Sequence, residues 1–310
     1  MDVRLTLPKR RVGNFDTFLQ RGGLRYIASE SEHNICLHAA QSTSITFPST
    51  NSSGNSMSAK KNMRKEYRKP PIAEKVCQFL LTPDTPWDIT IPGLIYDKVK
   101  EEGFKVREPG VIQQFKFTPS QQATPQMQAT QGVRFFTEDK KKFIQVVPLN
   151  LAINCLKPCP SWEEFKPMIK DASEILTDTT NVEYFQALRL TYVNRIEIPS
   201  SSAKNKLRDY FDFRPFLGQN LPQNPVSFIV GCLLPFHDYR DICKVELQSA
   251  MPGRPEQSAF LLRLDYNPAK PGAIPVTDTI KWLEDAHEKI VATFEGCINN
   301  RLREIFEEVT

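Results

Sequence analysis

His287 lies inside an apolar stripe formed by Ile280, Leu283, His287, Ile290, Phe294, Ile298 and Ile305, with Glu284, Asp285, Glu288 and Lys289 on the opposite side. Imidazole changes charge near neutrality, so a histidine in such a stripe is either packed and hydrogen-bonded to backbone or tyrosine, or acts as a general base or ligand. Spacing pairs no serine, cysteine or carboxylate with it, because triads are defined by geometry. The other candidates sit in ALRLTYVNRIEIP, residues 187–199. Strand alternation sends Leu188, Leu190, Tyr192, Asn194, Ile196 and Ile198 to one face and Arg189, Thr191, Val193, Arg195 and Glu197 to the other, so one face is core and the other wet or functional. An unpaired buried amide costs about 1–3 kcal/mol, so Asn194 must either tie neighbouring backbone together or line a polar-ended pocket with Tyr192. Arg189 and Arg195 are separated by roughly 20 Å along an extended strand, too far to clamp one phosphate. Surface pairing with Glu197 and its neighbours is the expectation for these arginines.

Other signatures are weak. Cys155 and Cys159 form C-x3-C, but the chain has only four histidines and no second pair at zinc-like spacing, so no metal is expected. There is no G-x-G-x-x-G and no G-x-x-x-x-G-K-[ST], and glycine numbers only 13, so no phosphate-cradling loop and no nucleotide cofactor are expected. Asp209, Asp212, Asp238, Asp241 and Asp265 could converge on a two-metal nuclease site; scattered surface acids are the simpler reading.

These residues belong to a chain of 310 residues, 40% hydrophobic, that is long enough for a sizeable core. Its formal charge of +4 is unevenly spread: residues up to Pro71 carry twelve Lys or Arg against five acids, a local +7 that leaves −3 for the remainder. A slightly acidic body is a poor start for sequence-independent nucleic-acid binding, so nucleic acid is a candidate partner only through the basic N-terminal tail. Seven scattered cysteines suggest reduced thiols. The N-terminus lacks a basic cap followed by an apolar run, and no stretch of ~18 apolar residues occurs. A cytoplasmic protein without a membrane association is therefore expected.

The elements that must position the candidates begin near Tyr67. Residues 1–66 read as a disordered basic extension, with QSTSITFPSTNSSGNSMSAKKN at 41–62 poor in apolar residues, and translation starting at Met57 or Met63 is an alternative. The first half, residues 67–180, reads as a strand at 72–81, a helix at 91–103 with an early proline and a closing Gly103, and strands at 113–117, 133–136, 142–147 and 150–156. SQQATPQMQATQG at 120–132 reads as a Gln-rich loop. Ser161 and Glu164 fit a capping box for a helix whose Trp162, Phe165, Ile169, Ala172 and Leu176 share a face. The second half, 181–310, repeats the order with a strand at 187–199, a short helix at 204–211, strands at 226–234, 241–250 and 259–266, and one long closing helix. An α+β fold follows: antiparallel sheets with helices on one face, built from two similar β-α-β-β-α halves packed as one body and ending in a long C-terminal helix. The seven-turn stripe of that helix exceeds what one sheet needs, which makes homodimerisation through it an expectation.

YRKPPIAEKVCQF at 67–79, IPGL at 91–94, LRLTYVNRIEIP at 188–199 and WLEDAHEKIVATFEGCINNRLREIF at 282–306 together resemble a sporadically distributed family of uncharacterised bacterial and archaeal proteins, across about residues 67–310. Its opening Tyr, Pro-Pro and Glu correspond to Tyr67, Pro70, Pro71 and Glu74, and its closing helix to Trp282, Leu283, Ala286, His287 and Phe294. The family's central Arg-Tyr-x-Asn-Arg is altered here, with Thr191 at the first arginine and Arg189 two positions earlier. The resemblance implies a fold and, through its patchy distribution, a defence or toxin–antitoxin context, but no activity. The leading expectation is a non-catalytic protein-binding module with a protein partner. The alternatives are a hydrolase or nuclease at the junction of the halves around Tyr192, Asn194, Arg195 and His287, and a nucleic-acid binder acting through the tail.

Overall fold

In the computed structural model the described residues are 65–116, 126–199, 207–223, 225–270, 272 and 274–309, with side chains left aside at 111–116 and 126–130. The expected basic extension lies almost wholly outside them. Where the description begins, Glu66 is already paired: β1 (Glu66–Tyr67) runs antiparallel to the last strand, β13 (Glu308–Val309), in register Glu66 with Val309. Lys65 adds an ion pair to Glu308 at 2.7 Å.

β2 (Ile72–Leu80) follows, then α1 (Ile91–Val99) with its proline in the first turn, β3 (Val106–Lys116), β4 (Gln126–Phe136), β5 (Lys142–Val147), β6 (Asn150–Leu156) and α2 (Trp162–Thr180). The capping box forms: Ser161 Oγ accepts from the Glu164 amide at 3.2 Å, and Glu164 Oε2 accepts from the Ser161 amide at 2.8 Å. All five residues of the expected α2 face are buried. β7 (Tyr184–Phe185) pairs with β12 (Ile274–Pro275) as a small separate ribbon. β8 (Ala187–Pro199), β9 (Ile229–Phe236), β10 (Asp241–Ala250) and β11 (Gln257–Pro268) lead to α3 (Thr279–Cys297) and α4 (Asn300–Phe306).

One nine-stranded sheet holds the described body together, in the order β3-β4-β5-β6-β2-β8-β11-β10-β9, and every pairing is antiparallel. The fold is α+β. β2 and β8 are hydrogen-bonded neighbours at its centre, with Cys77 opposite Leu190 and Val76 opposite Thr191. Cys77, Phe79, Leu188 and Leu190 are fully buried, and so are Leu262, Leu264 and Tyr266 across the next ladder.

Four local expectations change. The Gln-rich stretch does not remain a loop, because residues 126–132 extend β4 along β3 in an eleven-residue ladder. The helix expected at 204–211 reduces, among described residues, to a single 3-10 turn at 207–209, because Tyr210 and Phe211 turn into the core and Phe211 bridges to Ile298. The closing helix is two helices. Ile298 is extended (φ −111°, ψ 154°) where residues 210–213 run against it, and Asn299 Oδ1 caps α4 by accepting from the Arg301 amide at 3.1 Å. The apolar stripe is accordingly spent inside the chain: Leu283, His287, Ile290, Phe294 and Ile298 are buried, and Ile305 is its exposed member.

The fourth change concerns the second face of β8. Arg189, Thr191 and Val193 are buried along with their alternates, so the wet face begins only at Arg195.

Candidate functional site

The structure joins two of the five sequence candidates. Tyr192 on β8 and His287 on α3 share one hydrogen bond, hydroxyl to Nδ1, at 2.8 Å. Trp162, the first residue of α2, stacks on the imidazole at 4.3 Å and 8°, and the Lys75 ammonium from β2 lies 5.3 Å from the Tyr192 ring centre. Lys75 donates to the Pro160 carbonyl at 2.6 Å. This junction cluster therefore takes side chains from α2, α3, β2 and β8. Tyr192 and His287 are 4% and 6% exposed, which suits packing better than substrate contact.

The other three candidates separate. Asn194 donates Nδ2 to the Leu262 carbonyl at 3.2 Å on the neighbouring strand, the backbone tie that a buried amide needs. Arg195 is exposed and bonds Glu197 Oε1 at 2.9 Å and the Met251 carbonyl at 2.8 Å. Arg189 lies on the face away from α3, 3.4 Å from Asp265, which also accepts from Thr191 at 3.0 Å and lies 3.4 Å from Arg263. Glu74, opposite Val193 in the β2–β8 register, belongs to this second buried polar group. Burial pushes its carboxyl up to about 7, and Arg263 only partly opposes that.

The scattered acids do not converge. Asp241 lies on the α3 side of the sheet and Asp265 on the other, by strand alternation and by their partners Trp282 and Thr191. A different constellation forms instead, where the β9–β10 turn meets α3. His237 Nε2 and Asp285 Oδ2 are 2.6 Å apart, and one ligand atom from each of His237, Asp241 and Asp285 falls within 4.8 Å of the others. Such a group could in principle hold a cation. Its carboxylates are already engaged. Arg240 Nε donates to Asp241 Oδ2 at 2.8 Å, Trp282 Nε1 donates to Asp241 Oδ1 at 3.2 Å, and the Tyr266 hydroxyl donates to Asp241 at 3.3 Å. Burial and the two carboxylates push the Tyr266 phenol well up, so it remains a donor. The Arg240 guanidinium supplies the positive charge that a metal ion would. His237, Asp238 and Tyr239 all have positive φ, at 49°, 52° and 66°, which costs non-glycine residues roughly 1–3 kcal/mol each. The ties from His237 and Asp241 to α3 hold that turn in place. No local motif announces it, because His237 and Asp285 are 48 positions apart.

At Cys155 and Cys159 thiol chemistry has no support at neutral pH. Cys159 Sγ donates to the Cys155 carbonyl at 3.3 Å, and burial pushes the two thiols up to about 11 and about 12 respectively. A concavity of about 140 Å³ lined by Val99, Phe104, Ile144, Met168 and Ala172 is smaller than the ~300 Å³ of common ligand pockets.

No family model, curated protein or solved structure matches the chain.

Among the described residues a run of exposed apolar side chains lies at one edge of the sheet. β9 reads IVGCLLPF, without a charge, and Ile229, Leu233 and Leu234 are 65%, 50% and 36% exposed. Val226, three positions before it, and Met251, directly after β10, are also exposed. One side of β9 is satisfied by β10 from Ile229 opposite Gln248 to Phe236 opposite Asp241, and β9 is the last strand of the sheet order. The far edge is different in kind: β3 carries Arg107, Glu108 and Pro109, residue types that discourage edge pairing. Among the described residues no helix is long and apolar enough to cross a membrane.

Proposed function

We propose that this chain is a protein-binding module that receives an extended segment of a protein partner along β9. The observation that carries the reading is an uncharged, eight-residue edge strand with exposed Ile229, Leu233 and Leu234. Strand addition at such an edge draws affinity from main-chain hydrogen bonds and specificity from alternate side chains. The turn after β9, tied to α3 through His237 and Asp285, holds the strand ready without a partner. A hydrolase or nuclease at the junction of the halves is the weaker reading, because Tyr192, Asn194 and His287 are packed and mutually or locally satisfied. The family resemblance would place such a module in a defence or toxin–antitoxin locus, which the genes beside it in the genome would test.

The two halves also read as a repeat. Outward from the centre the order is β2, β6, β5, β4, β3 on one side and β8, β11, β10, β9 on the other; the first four strands of each side run in the same chain order, and β3 is an extra strand on the first. A twofold relation between β2 and β8 accounts for this, with α2 and α3 in equivalent positions after β6 and β11.

The test is a selection of random extended peptides on the full-length chain, compared with Leu233→Lys. Enriched peptides that bind the wild type and lose at least tenfold in affinity on the variant support the module. No enrichment on the single chain, at dilutions where sizing shows a monomer, or equal binding to both proteins, rejects it.

A further inference from the structure

The β9 edge rests on the binding reading above, and its chemistry selects one partner: we propose that the segment it receives is β9 of a second copy of this chain, paired antiparallel about a twofold axis. Three observations favour a second copy over a foreign strand. First, in an isologous antiparallel pair residue i of one strand meets residue j of the other and j meets i; IVGCLLPF carries no charge, so no register of the strand on itself sets like charges together. Second, the two ends of the sheet differ. β3, with Arg107, Glu108 and Pro109, is unsuited to accept β9 head-to-tail, so of the two described sheet edges β9 on β9 is the favoured closed arrangement, giving one continuous sheet through both chains. Third, apolar residues stand on both faces of the edge. Ile229 and Leu233 share the face of Gln248 and Lys244, and Leu234 shares the opposite face with Cys243. A twofold pairing covers both faces together, whereas an open edge of this composition invites indefinite aggregation.

The dimer face is thereby moved from the C-terminal helices, whose stripe is buried, to the sheet edge. Pro235 removes one backbone donor near the end of β9, so the ladder centres on the earlier residues of the strand.

Sizing chromatography with light scattering on the full-length protein over about 1–100 µM tests the proposal. The expected mass is twice the 35.5 kDa of one chain, falling to a single chain for both Leu233→Lys and Ile229→Lys with unchanged circular dichroism. Both positions are exposed in the single chain, so neither lysine disturbs its core. A wild-type monomer throughout the range overturns the proposal, and so does a dimer that survives both lysines. If the monomeric wild type still binds selected peptides in a Leu233-dependent way, the second copy fails while the binding module stands; if it binds none, both fail.

Discussion

The Tyr192 hydroxyl and His287 Nδ1 meet at 2.8 Å beneath the stacked ring of Trp162, joining the central strand β8 to α3. Because α2 contributes the tryptophan, this bond couples the helix that closes the first half of the chain to the one that closes the second. Removing one partner leaves the other polar group buried. Tyr192→Phe and His287→Leu should each lower stability by about 1–3 kcal/mol in urea unfolding. The double variant should cost less than the sum, with a coupling of at least ~0.5 kcal/mol. Additive losses would show that the bond contributes nothing beyond packing.

Glu74 should make the fold weaken as pH rises. Its carboxyl titrates near 7 in the folded chain against an ordinary 4.5, so between those values the folded state keeps a proton that the unfolded state has released. The penalty is absent below about pH 4.5, grows through the interval and is complete above about pH 7, on the order of 3 kcal/mol. Urea midpoints measured from pH 5 to 8 should fall for the wild type relative to Glu74→Gln. Parallel curves for the two proteins would place the titration elsewhere.

Asp241 is 1% exposed and accepts from Arg240, Trp282 and Tyr266. Asp241→Ala should cost about 1–3 kcal/mol, because it leaves the buried Trp282 N–H without its acceptor while the half-exposed Arg240 remains solvated. Zinc should leave the wild-type melting temperature unchanged, because Arg240 holds the cation position. In Arg240→Ala, which leaves His237, Asp241 and Asp285 together without that charge, zinc should raise it. Equal zinc responses would mean that Arg240 does not occupy the site.

Gly132 stands where β4 crosses close over β5. A Cβ there would lie 2.5 Å from the Val146 carbonyl oxygen, a backbone atom with no freedom to retreat. Gly132→Ala should destabilise by roughly 1–3 kcal/mol in thermal unfolding, while Gly93→Ala, where a Cβ meets nothing within 4 Å, should not.

Much of the fold was legible where one strong local rule acted. Ser161 and Glu164 announced α2, its five-residue face followed from helical periodicity, and β8 occupies the expected 187–199. The rest depended on contacts between distant segments. Alternation put Arg189, Thr191 and Val193 on one face of β8, but not whether that face would be covered. The apolar period ran on through Ile298 because no local signal reports the segment at 210–213 that interrupts the helix there. Gln126, Gln128 and Gln131 look like loop residues until β3 supplies a ladder for their backbone. Of the candidate site, Tyr192 and His287 could be named but not joined. The exposure of β9 was hidden because VSFIVGCLL reads as a buried strand, and only the strand order shows that nothing described lies beyond it.

The pairing of β1 with β13 has a mechanical consequence. Glu66 lies opposite Val309, at the outer end of the two-residue ladder, so a force applied to the chain at 65 and 309 pulls the strands apart rather than sliding them past one another. Hydrogen bonds loaded in this way break one at a time, and the ends should release at low force before the nine-stranded sheet bears any tension. The same closeness means that a short peptide could join residue 309 back to 65, and new termini could be opened in an exposed turn without redirecting any strand of the sheet.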